Sequence, residues 1–212
     1  MKKILAIIPA RYSSTRLPGK PLAEIGGKPM IELVYRRVKS CSAISQVLVA
    51  TDDLRIAEAV QEFGGDVMLT SDTCISGTDR CAEALQQLQG SWDLVLNVQG
   101  DEPFIHPEQL QQLIDCMQLS DADAGTLIKK ITVEEDLHNP NVVKAVITSQ
   151  GKALYFSRQP IPFVRQTGQL SWTKQTGFYR HLGIYAFRAE MLPVLAALPP
   201  GMLEQAESLE QL

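Results

Sequence analysis

The sequence lacks the hydrophobic segments that are typical of membrane and secreted proteins. No apolar stretch approaches the roughly 20 residues that a membrane-spanning helix needs. The apolar run Ile4–Ile8 ends at Pro9, which is too early for the core of a signal peptide. We therefore expect a cytoplasmic protein with no membrane partner. The net charge of −4 also argues against nucleic acid as a partner, because such binding relies on a basic surface.

Cysteine and histidine are scarce, and their spacing fits no metal site. The 4 cysteines contain no C-x-x-C pair, and the 3 histidines lie far apart. We expect the cysteines to be reduced and partly buried, as is usual for thiols in the cytoplasm.

Two common phosphate-binding loops are also missing. The sequence has no G-x-x-x-x-G-K-[ST], which excludes a P-loop. It has no G-x-G-x-x-G after a strand either. A dinucleotide-dependent oxidoreductase is therefore left with fold class alone in its favour.

The pattern that is present predicts an α/β protein. Apolar strands and amphipathic helices alternate up to about residue 120, which indicates a mostly parallel sheet with helices on both faces, a Rossmann-like arrangement. The helix after the second strand begins after Asp52 or Asp53, either of which can serve as its N-cap. Strands are predicted at 4–8, 47–50, 67–69 and 94–98, and helices at 30–39, 56–63, 77–88 and 107–119.

The pattern changes after residue 123. Strands are predicted at 124–131, 142–147 and 181–188, and a helix from about Ala189. The segment 153–165 contains Pro160 and Pro162, so we expect an edge strand or an extended arm, followed by a polar, mobile stretch at 168–176. We predict one domain over 1–212. It comprises a nucleotide-binding part (1–123), a β-rich excursion for a second substrate and dimer contacts (124–188), and C-terminal helices (189–212).

The loop after the first strand carries a local concentration of positive charge. Arg11, Arg16 and Lys20 fall within ten residues. Ligands of open α/β sheets bind beyond the carboxyl ends of the strands, so this loop suits a polyanion such as a nucleoside triphosphate. The alternative is a surface loop whose cations are merely solvated.

Two further segments follow predicted strands. Asp101 and Glu102 come after the strand 94–98, and a carboxylate beside a triphosphate is what Mg²⁺ requires. An acidic turn before the helix at Pro107 is the alternative. Residues 76–80 open a helix whose free N–H groups could bind a base edge or a phosphate, although a simple N-cap explains them equally well.

Several motifs resemble one enzyme family. P-A-R-x-x-S-x-R-L-P-G-K-P-L is similar to the nucleotide-binding loop of CMP-sugar synthetases. The other motifs resemble, within that family, the 3-deoxy-D-manno-octulosonate (KDO) cytidylyltransferases, and together they span almost the whole chain. The first motif occupies Pro9–Leu22, and the others lie at Ala50–Asp53, Ser76–Arg80, Gln99–Pro103, Asn139–Lys144, Ala153–Pro162, His181–Arg188 and Leu203–Leu212.

The resemblance implies a reaction in which CTP and KDO give CMP-KDO and pyrophosphate, activating KDO for lipopolysaccharide synthesis. It also implies a Mg²⁺ cofactor and a homodimer. The implied catalytic residues are Lys20, Arg11 and Asp101, with Asp101 as the metal ligand. The implied nucleotide-binding residues are Ala10, Arg11, Arg16, Lys20, Ser76, Gly77, Thr78 and Arg80. The implied sugar contacts are Gln99, Arg158, His181, Glu210 and Gln211.

The roles of Arg158 and His181 come from the resemblance alone. Without it, Arg158 would be interpreted as a surface arginine and His181 as a core histidine. The family pattern continues beyond Leu212 to a turn whose aspartate is a second Mg²⁺ ligand. Cys74 stands where the family often has histidine. The alternatives are a cytidylyltransferase for another acidic sugar, such as sialic acid, and an inactive CTP-binding homologue.

Overall fold

The structure is a computed structural model that describes residues 2–13, 17–165 and 171–212. The chain divides into two compact units. The first comprises Met1–Gly125 and Gly183–Leu198, and the second comprises Thr126–Leu182 and Pro199–Leu212. Within the described ranges, every helix is too short or too polar to cross a bilayer.

The first unit is built on a parallel sheet. Its strands and helices are β1 (Ile4–Ala10), β2 (Glu24–Ile25), β3 (Lys28–Pro29), α1 (Met30–Lys39), β4 (Gln46–Thr51), α2 (Leu54–Glu62), β5 (Val67–Leu69), α3 (Gly77–Gln87), β6 (Leu94–Val98) and α4 (Pro107–Leu119). A 3₁₀ helix spans Lys20–Leu22. Strands β5, β4, β1 and β6 lie side by side in that order and are all parallel.

The remaining elements follow in chain order. They are β7 (Ala124–Lys130), α5 (Glu134–His138), β8 (Lys144–Ile147), β9 (Ala153–Ser157), α6 (Trp172–Gln175), β10 (Tyr179–Arg188), α7 (Leu192–Ala196) and α8 (Met202–Glu207). In the first unit, Ile184–Arg188 of β10 pairs antiparallel with β6. In the second, β8 pairs antiparallel with β9 and with Tyr179 and Arg180 of β10.

The central strands are buried on both faces, which explains their continuous apolar sequences. Every residue of β1 is buried. Leu5 and Ile7 pack with Ala84 of α3 and Leu192 of α7 on one face. Ala6 and Ile8, which point to the opposite face because side chains alternate along a strand, are also fully buried. The predicted fold class, a mostly parallel sheet flanked by helices, is confirmed.

Most predicted elements are present, with shifts at their ends. Helices 30–39 and 107–119 have the predicted bounds. Asp53 is the N-cap of α2, and its carboxylate accepts the Arg55 N–H at 3.0 Å. The arm predicted over 153–165 is a strand only to Ser157, and the last predicted helix begins at Leu192 instead of Ala189.

Two short helices in the second unit were not predicted. Helix α5 lies between the predicted strands 124–131 and 142–147. Helix α6 lies in the stretch predicted to be mobile, of which 168–170 is outside the described residues. The carboxylate of Glu134 accepts the backbone N–H groups of Trp172 and Thr173, so it caps the start of α6. Glu134 precedes Trp172 and Thr173 by 38 and 39 positions, and no local sequence pattern predicts such a cap.

Candidate active site

The loop after β1 starts at the carboxyl end of the parallel sheet. Ala10 is buried at the end of β1, and Arg11 is exposed beside it. Gly19 has φ of +70°, and its N–H donates to the Tyr12 carbonyl at 2.9 Å. A Cβ at Gly19 would meet the Tyr12 ring at 3.0 Å, so both conformation and space require glycine there. Arg16, the third predicted cation, lies outside the described residues.

Tyr12 anchors this loop to the start of helix α2. The Arg55 guanidinium lies 3.3 Å from the centroid of the Tyr12 ring, a cation–π contact. Arg55 also donates two side-chain hydrogen bonds to Asp53, at 2.9 and 2.6 Å. Hydrogen bonding to Arg55 is the main reason that the pKa of Asp53 is lowered. A single chain of contacts therefore connects the N-terminus of α2 to the cationic loop.

Lys20 and Asp101 are brought together by the parallel sheet. The Lys20 Nζ lies 2.6 Å from the Asp101 Oδ2, although the residues are 81 positions apart. Their side chains are 36% and 49% exposed, so both can still reach a ligand in solvent. One residue follows β1 and the other follows β6, which are neighbouring strands. The pair thus lies at the edge where an α/β sheet binds nucleotides.

The donor atoms at this edge fit Mg²⁺ that is bound together with a nucleotide. Among the described residues, no group of three or more histidine, cysteine, aspartate or glutamate side chains could hold a metal by itself. Asp101 offers exposed carboxylate oxygens, which are the hard ligands that Mg²⁺ prefers. Mg²⁺ commonly uses one or two carboxylates and completes its shell with substrate phosphate and water. Asp101 as the metal ligand stays a prediction.

Gly77, at the start of α3, and Gly100, in the turn after β6, both pack closely against the end of β1. A Cβ on Gly100 would lie 3.0 Å from the Pro9 carbonyl oxygen, and a Cβ on Gly77 would lie 3.3 Å from the Pro9 ring. The Gln99 amide is also next to Gly77, and its nitrogen donates to Asn97 at 3.2 Å. The predicted sugar contact Gln99 and the start of α3 therefore adjoin each other within the first unit.

The start of α3 is a complete capping box. The Ser76 hydroxyl accepts the Asp79 N–H at 3.0 Å, and the Asp79 carboxylate accepts the Ser76 N–H at 2.9 Å. The Thr78 hydroxyl accepts a hydrogen bond from Asn97 at 3.4 Å. The N-cap alternative is thus present in the structure. A nucleotide-binding role for Ser76, Gly77 and Thr78 stays a prediction that is compatible with it.

Arg80 is buried, and its contacts are within the protein. Its side chain is 4% exposed and lies 3.3 Å from Asp52 Oδ2, and it also donates to the Thr70 hydroxyl and the Ser71 carbonyl. These contacts fix the start of α3 relative to the ends of β4 and β5. Arg80 would therefore influence a nucleotide by positioning the residues before it. From the sequence, Asp52 was predicted only as a possible N-cap of α2, and its ion pair with Arg80 was not foreseen.

In the second unit, the Arg158 guanidinium is bound to backbone carbonyls. Its Nε donates to Glu207 at 2.7 Å, one terminal nitrogen donates to Pro140 at 3.1 Å, and the other donates to Ser208 at 3.2 Å. A guanidinium has five N–H donors, so these bonds leave capacity for a ligand carboxylate. Glu210 is exposed and Gln211 is half-buried, just after the carbonyls that Arg158 binds.

His181 is a partly buried, neutral histidine. Its Nε2 lies 2.9 Å from the Thr126 hydroxyl, and the Phe156 ring meets it edge-on at 5.0 Å. Burial lowers the pKa of His181 to about 4, so the ring carries no charge at neutral pH. As a sugar-acid ligand, His181 would act through hydrogen bonding, and Arg158 alone would supply positive charge.

Comparison with known proteins places the chain in a family. The family profile described as "Cytidylyltransferase" matches residues 5–212. The chain belongs to the cytidylyltransferase family.

Similar curated proteins carry a more specific name. The chain is 49% identical to the 3-deoxy-manno-octulosonate cytidylyltransferase of Parabacteroides distasonis, over 100% of this chain and 85% of that protein. It is 52% identical to the protein of the same name in Cytophaga hutchinsonii, over 99% of this chain and 84% of that one.

Solved structures are also similar to this chain. The structure of CMP:2-keto-3-deoxy-manno-octonic acid synthetase complexed with CTP superposes with a TM-score of 0.91 at 42% identity, covering 99% of this chain and 83% of that one. A 4-diphosphocytidyl-2C-methyl-D-erythritol synthase from Anaerococcus prevotii shares the fold, with a TM-score of 0.59 at 17% identity, covering 92% of this chain and 74% of that one.

The low pKa of His181 in this cytidylyltransferase predicts a pH-dependent stability. The unfolded chain takes up a proton on this histidine near pH 6.5, whereas the folded chain does so only near pH 4. The unfolded state binds more protons between those values, so the free energy of unfolding should fall as pH drops through this window. Urea denaturation at pH 7.5 and pH 5.0 should show a smaller fall for His181→Gln than for the natural protein.

Glutamine at position 181 can keep a hydrogen bond to Thr126, so the variant tests protonation and not packing. Carboxylates titrate mainly below this window and contribute equally to both proteins. His106→Gln, at an exposed histidine, is the matched control and should behave like the natural protein. If the free energy of unfolding falls by the same amount between pH 7.5 and pH 5.0 in His181→Gln and in the natural protein, the assignment of His181 as a neutral histidine is contradicted.

Proposed function

We propose that this chain transfers CMP from CTP to the anomeric hydroxyl of KDO, giving CMP-KDO and pyrophosphate. The sugar oxygen forms a bond to the α-phosphorus while its O–H bond breaks and the proton passes to water. The bond from that phosphorus to the bridging oxygen of pyrophosphate breaks. The supporting observation is the near-complete match to proteins named for this reaction, at about half identity. The same chain superposes on a CTP-bound synthetase.

The geometry of the first unit suits this chemistry. Negative charge grows on the α-phosphate and on the leaving pyrophosphate, and fixed cations at that position lower the barrier. Lys20 is held at this edge of the sheet by Asp101, and Arg11 is exposed directly after the end of β1. We propose that Lys20 and Arg11 hold the triphosphate and that Asp101 would hold Mg²⁺. The bound metal would neutralise phosphate charge.

The paired state of Lys20 suggests how the site accepts its substrate. The Lys20 ammonium and the Asp101 carboxylate neutralise each other at 2.6 Å. A triphosphate would offer Lys20 a more highly charged partner, which would leave Asp101 available to a cation.

The decisive experiment measures pyrophosphate release from CTP by the purified protein. Release should require both KDO and Mg²⁺, and CMP-KDO should accumulate in equal amount. Sialic acid in place of KDO tests the alternative acidic sugar, and UTP in place of CTP tests base selectivity. CTP binding without pyrophosphate release would support the inactive homologue instead.

We also propose that the product supplies the KDO transfer steps of lipopolysaccharide synthesis. The cytoplasmic location stays a prediction.

A homodimer is proposed from the edge of the second unit. Strand β9 is the last strand of its sheet order, and Leu154 on it is 65% exposed. Phe163, in the proline-containing arm that follows, is 75% exposed. An uncovered apolar edge favours pairing with another chain. Light scattering at micromolar concentration should report twice the mass of 23.4 kDa. A single-chain mass would rule the dimer out at that concentration.

A further inference from the structure

A cluster of polar contacts ties the end of the chain to strand β9 in the second unit. We name Ser157, Arg158, Glu207 and Ser208 the C-terminal clamp. Ser157 and Arg158 stand at and just after the end of β9, and Glu207 and Ser208 stand at the end of α8. Sequence analysis gave a role to Arg158 alone among them.

Glu207 contributes both carboxylate oxygens to the clamp. One oxygen accepts the Ser157 hydroxyl at 2.7 Å, and the other accepts the Arg158 backbone N–H at 2.9 Å. These hydrogen bonds, with Arg158 first, are the main reason that the pKa of Glu207 is lowered. Ser157 is only 2% exposed, so its hydroxyl needs such a partner inside the protein.

The Arg158 side chain also binds the end of α8. Its guanidinium donates to the carbonyls of Glu207 and Ser208, at 2.7 and 3.2 Å. Ser208 has φ of +51°, and among the described residues it is the one non-glycine residue with positive φ. This left-handed conformation ends α8 and directs the chain toward Glu210 and Gln211. The clamp therefore sets where those two residues begin.

Together with the neighbouring Lys144, the clamp carries an excess of positive charge. The Lys144 side chain is fully buried, and its ammonium donates to the carbonyls of Asn139, Val142 and Arg158. Burial lowers the pKa of Lys144, while the charge of Glu207 opposes that effect. Two cations, Lys144 and Arg158, thus share one anion, Glu207. A bound carboxylate would balance the remaining positive charge.

We infer that Glu207 is a positioning residue for the sugar acid. It fixes the backbone of Arg158 and the start of the Glu210–Gln211 segment, so that both meet the substrate carboxylate and hydroxyls in a set geometry. The inference rests on the proposed function. Glu207 acts through its neighbours and makes no substrate contact itself.

Glu207→Ala should therefore raise the KM for KDO by about 10-fold or more, because small displacements of substrate-positioning groups are costly. The KM for CTP should change by less than about twofold, since the clamp lies in the second unit. Glu207→Gln should restore most of the KDO affinity. Its amide oxygen can accept the Arg158 N–H, and its amide nitrogen can donate to the Ser157 hydroxyl.

Glu204→Ala is the matched control on the same helix. The Glu204 side chain accepts the Gly201 N–H at 3.1 Å in the first turn of α8, and it is this side chain, outside the clamp, that the alanine variant removes. Its loss weakens the helix start and should leave the KM for KDO near the natural value. An equal rise in both alanine variants would show that helix stability, and not positioning, explains the effect, and would overturn the inference.

Ser157→Ala keeps the test decisive if Glu207→Ala fails to fold. It removes one of the two hydrogen bonds to Glu207 and should raise the KM for KDO several-fold while the KM for CTP stays constant. An unchanged KM for KDO in folded Ser157→Ala would contradict the inference, and so would the lack of a selective KM effect in folded Glu207→Ala. Absence of KDO-dependent pyrophosphate release from the natural protein would instead contradict the proposed function.

Discussion

Lys20→Ala is expected to release pyrophosphate at least about 100-fold more slowly than the natural protein, because one lost donor of transition-state stabilisation costs ~3 kcal/mol or more. The fold should survive the change. Lys20 is partly exposed and its one described ion pair, with Asp101, lies at the surface. Exposed ion pairs contribute about 0–1 kcal/mol to stability. Turnover at saturating CTP, KDO and Mg²⁺, measured beside thermal unfolding, checks both parts.

Lys28→Ala is the matched control for Lys20→Ala. Lys28 also forms a partly exposed ion pair, with Glu32 at 3.3 Å, and belongs to the same unit. Its removal deletes a comparable surface contact made by a lysine to which no nucleotide-binding role is assigned. We expect near-natural turnover from Lys28→Ala. If folded Lys20→Ala also turns over at a near-natural rate, Lys20 has no catalytic role.

Asp101→Asn is expected to lower turnover by about 100-fold or more at ordinary Mg²⁺ concentrations, because the amide gives the metal a weaker, uncharged ligand. The Mg²⁺ concentration for half-maximal activity should rise. Metal-free CTP should bind at least as well as before, since a negative charge beside the triphosphate is gone and Lys20 loses its competing partner. Calorimetric CTP titrations with and without Mg²⁺ separate these effects.

Glu102→Gln is the neighbouring control. The two residues are adjacent in the same turn, and the Asp101 carboxylate is bound to Lys20. We expect Glu102→Gln to keep the natural Mg²⁺ requirement. A larger effect on that requirement from Glu102→Gln than from Asp101→Asn would transfer the metal role to Glu102.

The positions of the predicted nucleotide-binding residues in the first unit could be predicted most directly. Its residues follow apolar strands that are buried on both faces, and such strands are recognisable because the apolar run is unbroken. The rule that ligands bind at the carboxyl ends of parallel strands then places Arg11, Lys20 and Asp101 at one edge. The ion pair between Lys20 and Asp101 agrees with that placement, while their chemical roles stay predictions.

The contacts of Arg80 and His181 could not be predicted in the same way. The sequence motif Ser76–Arg80 suggested a group open to nucleotide, yet the Arg80 side chain is 4% exposed and bound to Asp52. Burial similarly leaves His181 uncharged at neutral pH. Burial depends on which distant residues pack around a side chain, and neither motif nor spacing contains that information.

By itself, the sequence determined the fold class, the positions of most helices and strands, and the resemblance to cytidylyltransferases. These depend on short-range patterns of apolar residues, caps and motifs. The tertiary structure alone decided which polar groups are partners across long separations. Glu134 caps α6, Glu207 ties the chain end to β9, and Lys144 is buried among backbone carbonyls. Such contacts form only when distant segments pack. Before that, the same polar groups form hydrogen bonds with water, so the local sequence does not indicate their partners.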